Sequence, residues 1–105
     1  MSESAEVSPK AVSEALHAGG AVLIDVRQPS EYSEAHIPGA VLIPLPSLPS
    51  RLSEIPADRD VYVHCHMGGR SARAVDYLRA NGRPNSYNVS GGLEAWEDAG
   101  LPVEH

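Results

Sequence analysis

Cys65 is the only cysteine in this chain of 105 residues, and it is the side chain best placed for nucleophilic chemistry. It follows the apolar run Val61-Tyr62-Val63-His64 and is followed by Gly68-Gly69-Arg70-Ser71. A glycine-rich turn from a strand into a helix directs successive backbone N–H groups toward one point, which attracts negative charge. These donors would stabilise a thiolate, the nucleophilic form of cysteine. Cys65 is therefore predicted to be a catalytic nucleophile.

Two features of the loop support this prediction over a packing role for the cysteine. A free cysteine frequently serves only as a small buried hydrophobe. However, a core cysteine has no use for the glycines at positions 68 and 69, which permit positive φ and a close approach of the backbone to a ligand. Arg70 adds a planar fork of donors suited to an oxyanion. We therefore favour the functional interpretation.

His64 and His66 lie on either side of the cysteine and raise the question of a metal site. Alternation along a strand sends residues 64 and 66 to one side and residue 65 to the other. Two imidazoles also fall short of the three or four ligands that zinc prefers. We predict no metal, with His66 lining the mouth of the pocket and His64 a packed or edge residue.

Charge and composition limit the partners. The net charge of −6 argues against non-specific nucleic-acid binding, and no apolar run approaches the length of a membrane helix. Between residues 65 and 83 four arginines face one aspartate, which could attract a small anion, although helix C-termini also collect arginine. A lone thiol fits a reducing compartment, and the acidic, polar first residues do not look like a targeting segment. We expect a cytoplasmic location.

The elements that must hold Cys65 alternate between strands and helices. Extended runs are predicted at residues 21–26, 41–43, 61–64 and 86–89. Helices are predicted after Ser8-Pro9, around residues 31–35 and 48–52, over 70–80, and after Ser90. This alternation indicates an α/β fold with an open parallel sheet covered on both faces, in which ligands bind at the carboxyl ends of strands. One domain is expected over residues 6–103, with a flexible tail at 1–5 and a second tail at 104–105.

Several motifs in a fixed order make the chain resemble the rhodanese family. They are Leu23-Ile24-Asp25-Val26-Arg27, Glu31-Tyr32, His36-Ile37-Pro38-Gly39-Ala40, the loop from Cys65, and Ser90-Gly91-Gly92-Leu93-Glu94-Ala95-Trp96 followed by Gly100-Leu101-Pro102-Val103. Together they extend over roughly residues 6 to 103. The resemblance implies a rhodanese-like, mainly parallel sheet of about five strands with helices on both faces.

The resemblance also implies a sulfurtransferase of the thiosulfate:cyanide type. Cys65 would take the outer sulfur of a small anionic donor such as thiosulfate, release sulfite, and pass the sulfur from a persulfide to cyanide or a thiol. The substrate-binding loop would be His66, Met67, Gly68, Gly69, Arg70 and Ser71, with its backbone N–H groups holding the anion and Arg70 meeting the donor's oxyanion. No cofactor is implied, and a sulfur-relay protein could be a partner.

Asp25, Arg27 and His36 belong to these motifs but are predicted to act as supporting residues. Asp25, at a strand end, would hydrogen-bond loop backbone or an arginine and so hold the site together. Arg27 and His36 would be surface or turn-stabilising groups, with Arg27 paired to a nearby acid such as Glu31.

Two alternatives remain open. Cysteine-dependent phosphatases of this fold carry five residues between cysteine and arginine, whereas Cys65 and Arg70 enclose four. The tighter loop suits a sulfane sulfur better than a tetrahedral phosphate, so phosphatase or arsenate-reductase activity is disfavoured. Alternatively, the domain could be a non-catalytic binding or sulfur-relay module that never turns over thiosulfate.

Overall fold

The computed structural model describes residues 5–105, and these form one parallel sheet between two layers of helices. The sheet has five strands in the order β1-β5-β4-β2-β3. Their bounds are β1 Glu6–Val7, β2 Val22–Asp25, β3 Val41–Leu42, β4 Val61–His64 and β5 Ser86–Val89. The predicted α/β class and the mainly parallel sheet of about five strands are confirmed.

Four α-helices connect the strands of the described chain, and a fifth follows β5. They are α1 Pro9–Ala18, α2 Pro29–Glu34, α3 Leu48–Arg51, α4 Gly69–Ala80 and α5 Gly92–Asp98, with short 3₁₀ segments at Leu45–Ser47 and Leu52–Glu54 on either side of α3. The Ser8 side chain caps α1 by accepting a hydrogen bond from the backbone N–H of Ala11, at 3.2 Å. Pro9 supplies the first residue of that helix, where no N–H is needed.

The central strand β4 is buried on both faces, which explains its unbroken apolar run. Val61 and Val63 pack into a cluster with α3 and α4, whereas Tyr62 packs into a second cluster with α1 and α5. The two layers of helices therefore cover opposite faces of the sheet. Because β4 lies between β5 and β2, its carboxyl end is surrounded by neighbouring elements.

Strand β1 is absent from the sequence-based assignment because two residues are too few to carry a strand pattern. It pairs in parallel with β5, with Glu6 opposite Asn88 and Val7 opposite Val89. Ala5, assigned to a tail by its sequence position, is buried in the core at 5% exposure. The rest of that predicted tail, residues 1–4, lies outside the described residues.

The second predicted tail also contacts the fold. Glu104 forms an antiparallel bridge with His36, with backbone N–H to carbonyl distances of 2.8 and 2.9 Å, and its carboxylate lies 3.0 Å from His36 Nε2. The His36 ring stacks on Tyr32, with ring centroids 4.0 Å apart. His36 thus joins the segment after α2 to the end of the chain. Within residues 5–105 no helix has both the length and the apolar character needed to cross a bilayer.

Candidate active site

Cys65 lies immediately beyond β4 and four residues before the start of α4. Its side chain is on the α4 face of the sheet, in the same buried cluster as Ala74 and Val75, and is only 2% exposed. It is a free thiol. The strand and the helix therefore place the Cys65 thiol at the sheet edge where parallel α/β folds bind ligands.

Hydrogen-bond donors converge on the sulfur. The backbone N–H of Gly68 donates to Cys65 Sγ at 3.0 Å, and the Ser71 hydroxyl oxygen lies 3.3 Å from it. Burial by itself raises the pKa of the Cys65 thiol, but hydrogen bonds from the Ser71 hydroxyl and from the N–H groups of Ser71, Gly68 and Met67 outweigh it. The net result is a pKa below the ordinary value for cysteine, which favours the thiolate.

Gly68 makes this convergence geometrically feasible. It precedes α4 with φ of 115°, a conformation that side-chain-bearing residues rarely adopt. The turn at Gly68 reverses the chain so that the loop N–H groups and the first turn of α4 face the same sulfur. The glycine recognised in the sequence thus has a conformational role.

The start of α5 packs against the loop and forms hydrogen bonds with its backbone. The carbonyl oxygens of Cys65 and His66 accept hydrogen bonds from the backbone N–H groups of Leu93 and Glu94, at 2.8 and 3.0 Å. A Cβ built on Gly92 would lie 2.6 Å from both carbonyl oxygens. Only glycine allows the helix to approach the loop backbone this closely, and this accounts for the second glycine of the Gly91-Gly92 pair.

Arg70 has a partner that its prediction did not include. Its guanidinium donates two hydrogen bonds to the Glu31 carboxylate, at 2.8 and 3.0 Å, and so joins α4 to α2. The hydrogen bond from Arg70 lowers the pKa of Glu31 to about 2, so the pair is ionised at neutral pH. Arg70, which is predicted to meet the donor's oxyanion, is therefore paired with a carboxylate in this structure.

Arg27 also differs from its prediction, both in its partner and in its burial. It is 3% exposed and pairs with fully buried Asp25, with the closest contact at 2.8 Å between Nη2 and Oδ2, rather than with Glu31. Its second contact is the carbonyl oxygen of Ala35, at 2.7 Å. The spacing Asp25-Val26-Arg27 returns both side chains to the same side of the strand end, which favours the local pair over the more distant Glu31. The pair lies at the end of β2, beside His64 of β4.

The two histidines beside Cys65 occupy different environments. His64 is fully buried, with Nδ1 3.1 Å from the Cys65 carbonyl oxygen and Nε2 3.4 Å from Asp25 Oδ2. Burial lowers the pKa of His64, because desolvation outweighs the attraction of Asp25. His66 is exposed and lines a groove of about 270 Å³ beside the loop, together with Glu31, Glu34, Leu93 and others. Among residues 5–105 no three metal-binding side chains cluster together.

Sequence analysis did not identify Asn88. This side chain is 3% exposed and accepts a hydrogen bond from the Ser71 hydroxyl, while its amide nitrogen donates to Glu6 and to the carbonyl oxygen of Gly68. Asn88 therefore contacts Ser71, whose hydroxyl in turn contacts the Cys65 thiol. The one indication in the sequence was an asparagine within the short predicted strand Ser86–Val89.

A buried thiol held by loop N–H groups at the carboxyl end of a central parallel strand defines a class of α/β proteins that carry out chemistry at a cysteine thiolate. The sequence matches the profile of the rhodanese-like domain family over residues 8–99. The chain belongs to the rhodanese-like domain family.

Relatives of known name agree with this assignment. A protein named sulfurtransferase from Allochromatium vinosum is 43% identical over 82 residues, covering 78% of this chain and 77% of that protein. The thiosulfate sulfurtransferase GlpE of Pseudomonas entomophila is 36% identical over 96 residues, covering 91% of this chain and 87% of its own. The crystal structure of a rhodanese-related protein from Thermoplasma volcanium superposes with a TM-score of 0.86 at 29% identity, covering 94% of this chain and 96% of that one. These similarities support sulfur transfer as the kind of activity.

Proposed function

We propose that the protein is a sulfurtransferase in which Cys65 carries a sulfane sulfur as a persulfide between a donor and a thiol or cyanide acceptor. The observation that carries this proposal is the set of donors around Cys65 Sγ, which favours a thiolate although the sulfur is buried. A neutral core thiol would need no such donors.

The reaction proceeds in two displacements at sulfur. In the first, the Cys65 thiolate attacks the outer sulfur of a donor such as thiosulfate; an S–S bond forms at Cys65, the donor's S–S bond breaks, and sulfite leaves with its electron pair. In the second, an acceptor thiolate or cyanide attacks the outer sulfur of the persulfide, and Sγ leaves as the thiolate. No general base is required, because the loop already favours the ionised thiol.

The ion pair of Arg70 with Glu31 affects how the donor binds. Two guanidinium N–H groups point to the carboxylate, so a donor oxyanion would meet the remaining N–H groups of an arginine whose charge is already balanced. We therefore assign anion binding chiefly to the loop N–H groups, with Arg70 as a secondary contact.

The exposed part of the loop is the approach route for the acceptor. Met67 is 65% exposed beside the buried cysteine, and neighbouring His66 is also exposed. A small thiol or a thiol on another protein could reach the persulfide across this surface. The requirement for a free thiol fits a reducing compartment, consistent with the proposed cytoplasmic location.

Intact-mass analysis after incubation with thiosulfate tests the proposal, with Cys65→Ser as the matched variant. We expect the wild type to gain the mass of one sulfur atom, the variant to gain none, and cyanide to remove the adduct. Sulfite release should match the adduct in amount.

Two outcomes would contradict the proposal. If thiosulfate and low-molecular-weight persulfides both leave the mass unchanged, the domain is a binding module rather than a sulfurtransferase. If Cys65 instead supports hydrolysis of an aryl phosphate without forming an adduct, the protein is a phosphatase.

A further inference from the structure

The Ser71 hydroxyl has more acceptors within reach than it has protons to donate. Its oxygen lies 3.3 Å from Cys65 Sγ and 3.2 Å from the carbonyl oxygen of Gly68, and it also forms a short hydrogen bond with Asn88 Oδ1. Ser71 is fully buried, so water offers no alternative partner. A hydroxyl donates one hydrogen bond at a time, and the thiolate must therefore compete for it.

The orientation of the Asn88 amide is fixed by its other contacts. Nδ2 donates to Glu6 Oε2 at 2.9 Å and to the Gly68 carbonyl oxygen at 3.2 Å. Turning the amide over would place its oxygen against two oxygens that can only accept, so Oδ1 must face Ser71. The parallel register of β1 with β5, which sets Glu6 opposite Asn88, brings the carboxylate to this position.

We propose that Asn88 is a positioning residue that competes with Cys65 Sγ for the Ser71 proton, and that Glu6 fixes the amide in the competing orientation. The hydroxyl would turn toward Asn88 when Sγ is uncharged and toward Sγ when negative charge develops there. The inference rests on the proposed function only where it concerns the persulfide, because the competition itself requires only a thiol that ionises.

The competition would follow the sulfur-transfer cycle without any net proton transfer. In the persulfide the inner sulfur is neutral and a weak acceptor, so the hydroxyl donates to Asn88. When an acceptor thiolate attacks the outer sulfur, the S–S bond breaks, its electron pair goes to Sγ, and the hydroxyl turns to the new thiolate. Ser71 keeps its proton throughout and only changes the direction of its hydrogen bond.

The other charged or titratable residues near the thiol are not substituted in the test. Arg70 of α4 interacts electrostatically with the thiol and is paired with Glu31. The exposed imidazole of His66 lies in the loop. A buried group at the ends of β2 and β4 consists of Asp25, Arg27 and His64. None of them contacts the Asn88 side chain through a hydrogen bond within the described residues.

Titration of Cys65 by its thiolate ultraviolet absorbance tests the proposal, because the chain has no second cysteine. The set consists of the wild type, Ser71→Ala, Asn88→Leu and the double variant. We expect Ser71→Ala to raise the Cys65 pKa by about one unit, since a charge-directed hydrogen bond is lost. Asn88→Leu should lower the pKa, because the Ser71 proton becomes free for the thiolate, and this lowering should disappear in the double variant.

The sign of the change separates competition from mere structural support. Asn88 also holds the Gly68 carbonyl, so a purely structural role predicts that Asn88→Leu loosens the loop and raises the Cys65 pKa in both backgrounds. That result, or a shift that does not depend on Ser71, would overturn the proposal.

Variants of Glu6 provide a second measurement that does not depend on replacing a buried residue. Glu6 is exposed, so its substitution should leave the fold intact. Glu6→Gln keeps an acceptor for Nδ2 and should stay near the wild-type pKa. Glu6→Leu leaves only the Gly68 carbonyl oxygen to hold the amide, so it should lower the pKa in the same direction as Asn88→Leu but by less. Equal pKa values in the two Glu6 variants would count against the role of Glu6.

The rate of persulfide discharge to a small thiol links the inference to the proposed function. A leaving thiolate of lower pKa departs faster, so Asn88→Leu should discharge faster and Ser71→Ala slower than the wild type. If no persulfide forms at all, the proposed function fails while the titration still decides the competition. If discharge is normal but the titrations show no coupling, only the inference fails.

Discussion

At Cys65, burial and hydrogen bonding act on the thiol in opposite directions. Burial raises the pKa and the converging donors lower it, and the donors prevail. The nearby cation, Arg70, is already balanced by the carboxylate of Glu31. The thiolate of Cys65 is therefore favoured by hydrogen-bond donors of the loop and of Ser71 rather than by an unpaired positive charge.

Glu31→Gln should strengthen the binding of anionic donors. The glutamine keeps hydrogen-bonding capacity but removes the charge that neutralises Arg70, so the guanidinium would attract thiosulfate. For a partly exposed pair the effect is about 1 kcal/mol, and the KM for thiosulfate should fall roughly fivefold. Steady-state sulfur transfer at fixed acceptor concentration measures it.

The matched control is Glu54→Gln, which removes the carboxylate from a similar two-bond pair with Arg51 in the connection that contains α3. That variant should leave the KM for thiosulfate unchanged. An unchanged KM in Glu31→Gln as well would show that Arg70 does not contribute to donor binding.

Among the elements, β4, α4 and α5 together build the loop. Strand β4 leads directly into the cysteine, and the first turn of α4 supplies the Ser71 hydroxyl. The start of α5 donates hydrogen bonds from Leu93 and Glu94 to the loop carbonyls. The third contribution depends on the absence of a side chain at Gly92. The Cys65 loop thus requires a glycine at position 92 for packing, although Gly92 is distant from the loop in sequence.

Gly92→Ala should destabilise the protein by about 2–4 kcal/mol, combining the cost of a positive φ with the displacement of loop backbone. Chemical denaturation measures the loss. Because the loop carbonyls must move, we also expect slower alkylation of Cys65 by iodoacetamide at neutral pH.

Gly100→Ala separates the two costs. Gly100 also has positive φ, of 76°, but a Cβ there would meet nothing within 4 Å. This variant should lose only the conformational part, about 1–2 kcal/mol, with unchanged alkylation of Cys65. Equal losses in the two variants would show that the approach of α5 to the loop does not matter.

At the scale of the whole molecule, both ends of the described chain contribute to the fold. Val7 and Glu6 add the edge strand β1, which brings the carboxylate to Asn88, and Glu104 bridges to His36. Trp96 donates its indole N–H to the Pro102 carbonyl oxygen at 2.9 Å, which holds the last segment against α5. Residues on both sides of 6–103, Ala5 and Glu104, therefore also contact the fold.

Glu104→Pro should destabilise the protein by about 1 kcal/mol, because proline has no N–H to donate to the His36 carbonyl. The thermal midpoint measures this loss. His105→Pro is the control, since the bridge joins backbone groups of His36 and Glu104 and uses none of His105. A midpoint unchanged by both substitutions would assign residue 104 to a tail after all.

The sequence alone determined the strand β4, the helix α4, the position of Cys65 and the glycines that shape its loop. These depend on local rules: an apolar run bounded by turn residues, a helical period, and the conformational freedom of glycine at a sharp turn. Residues 61–64, 86–89 and 70–80 are close to the observed elements because their patterns are long or sharply bounded.

The tertiary structure alone decided which polar side chains meet. Arg70 pairs with a glutamate 39 positions away, and Asn88 contacts Glu6 across 82 positions. Such partners depend on strand order and register, which no local pattern encodes, because a shift of one residue in the pairing of β1 with β5 would turn Glu6 to the other face. The candidate nucleophile was readable from its neighbours in sequence, whereas its contacts with Ser71 and, through Ser71, with Asn88 exist only after the sheet has formed.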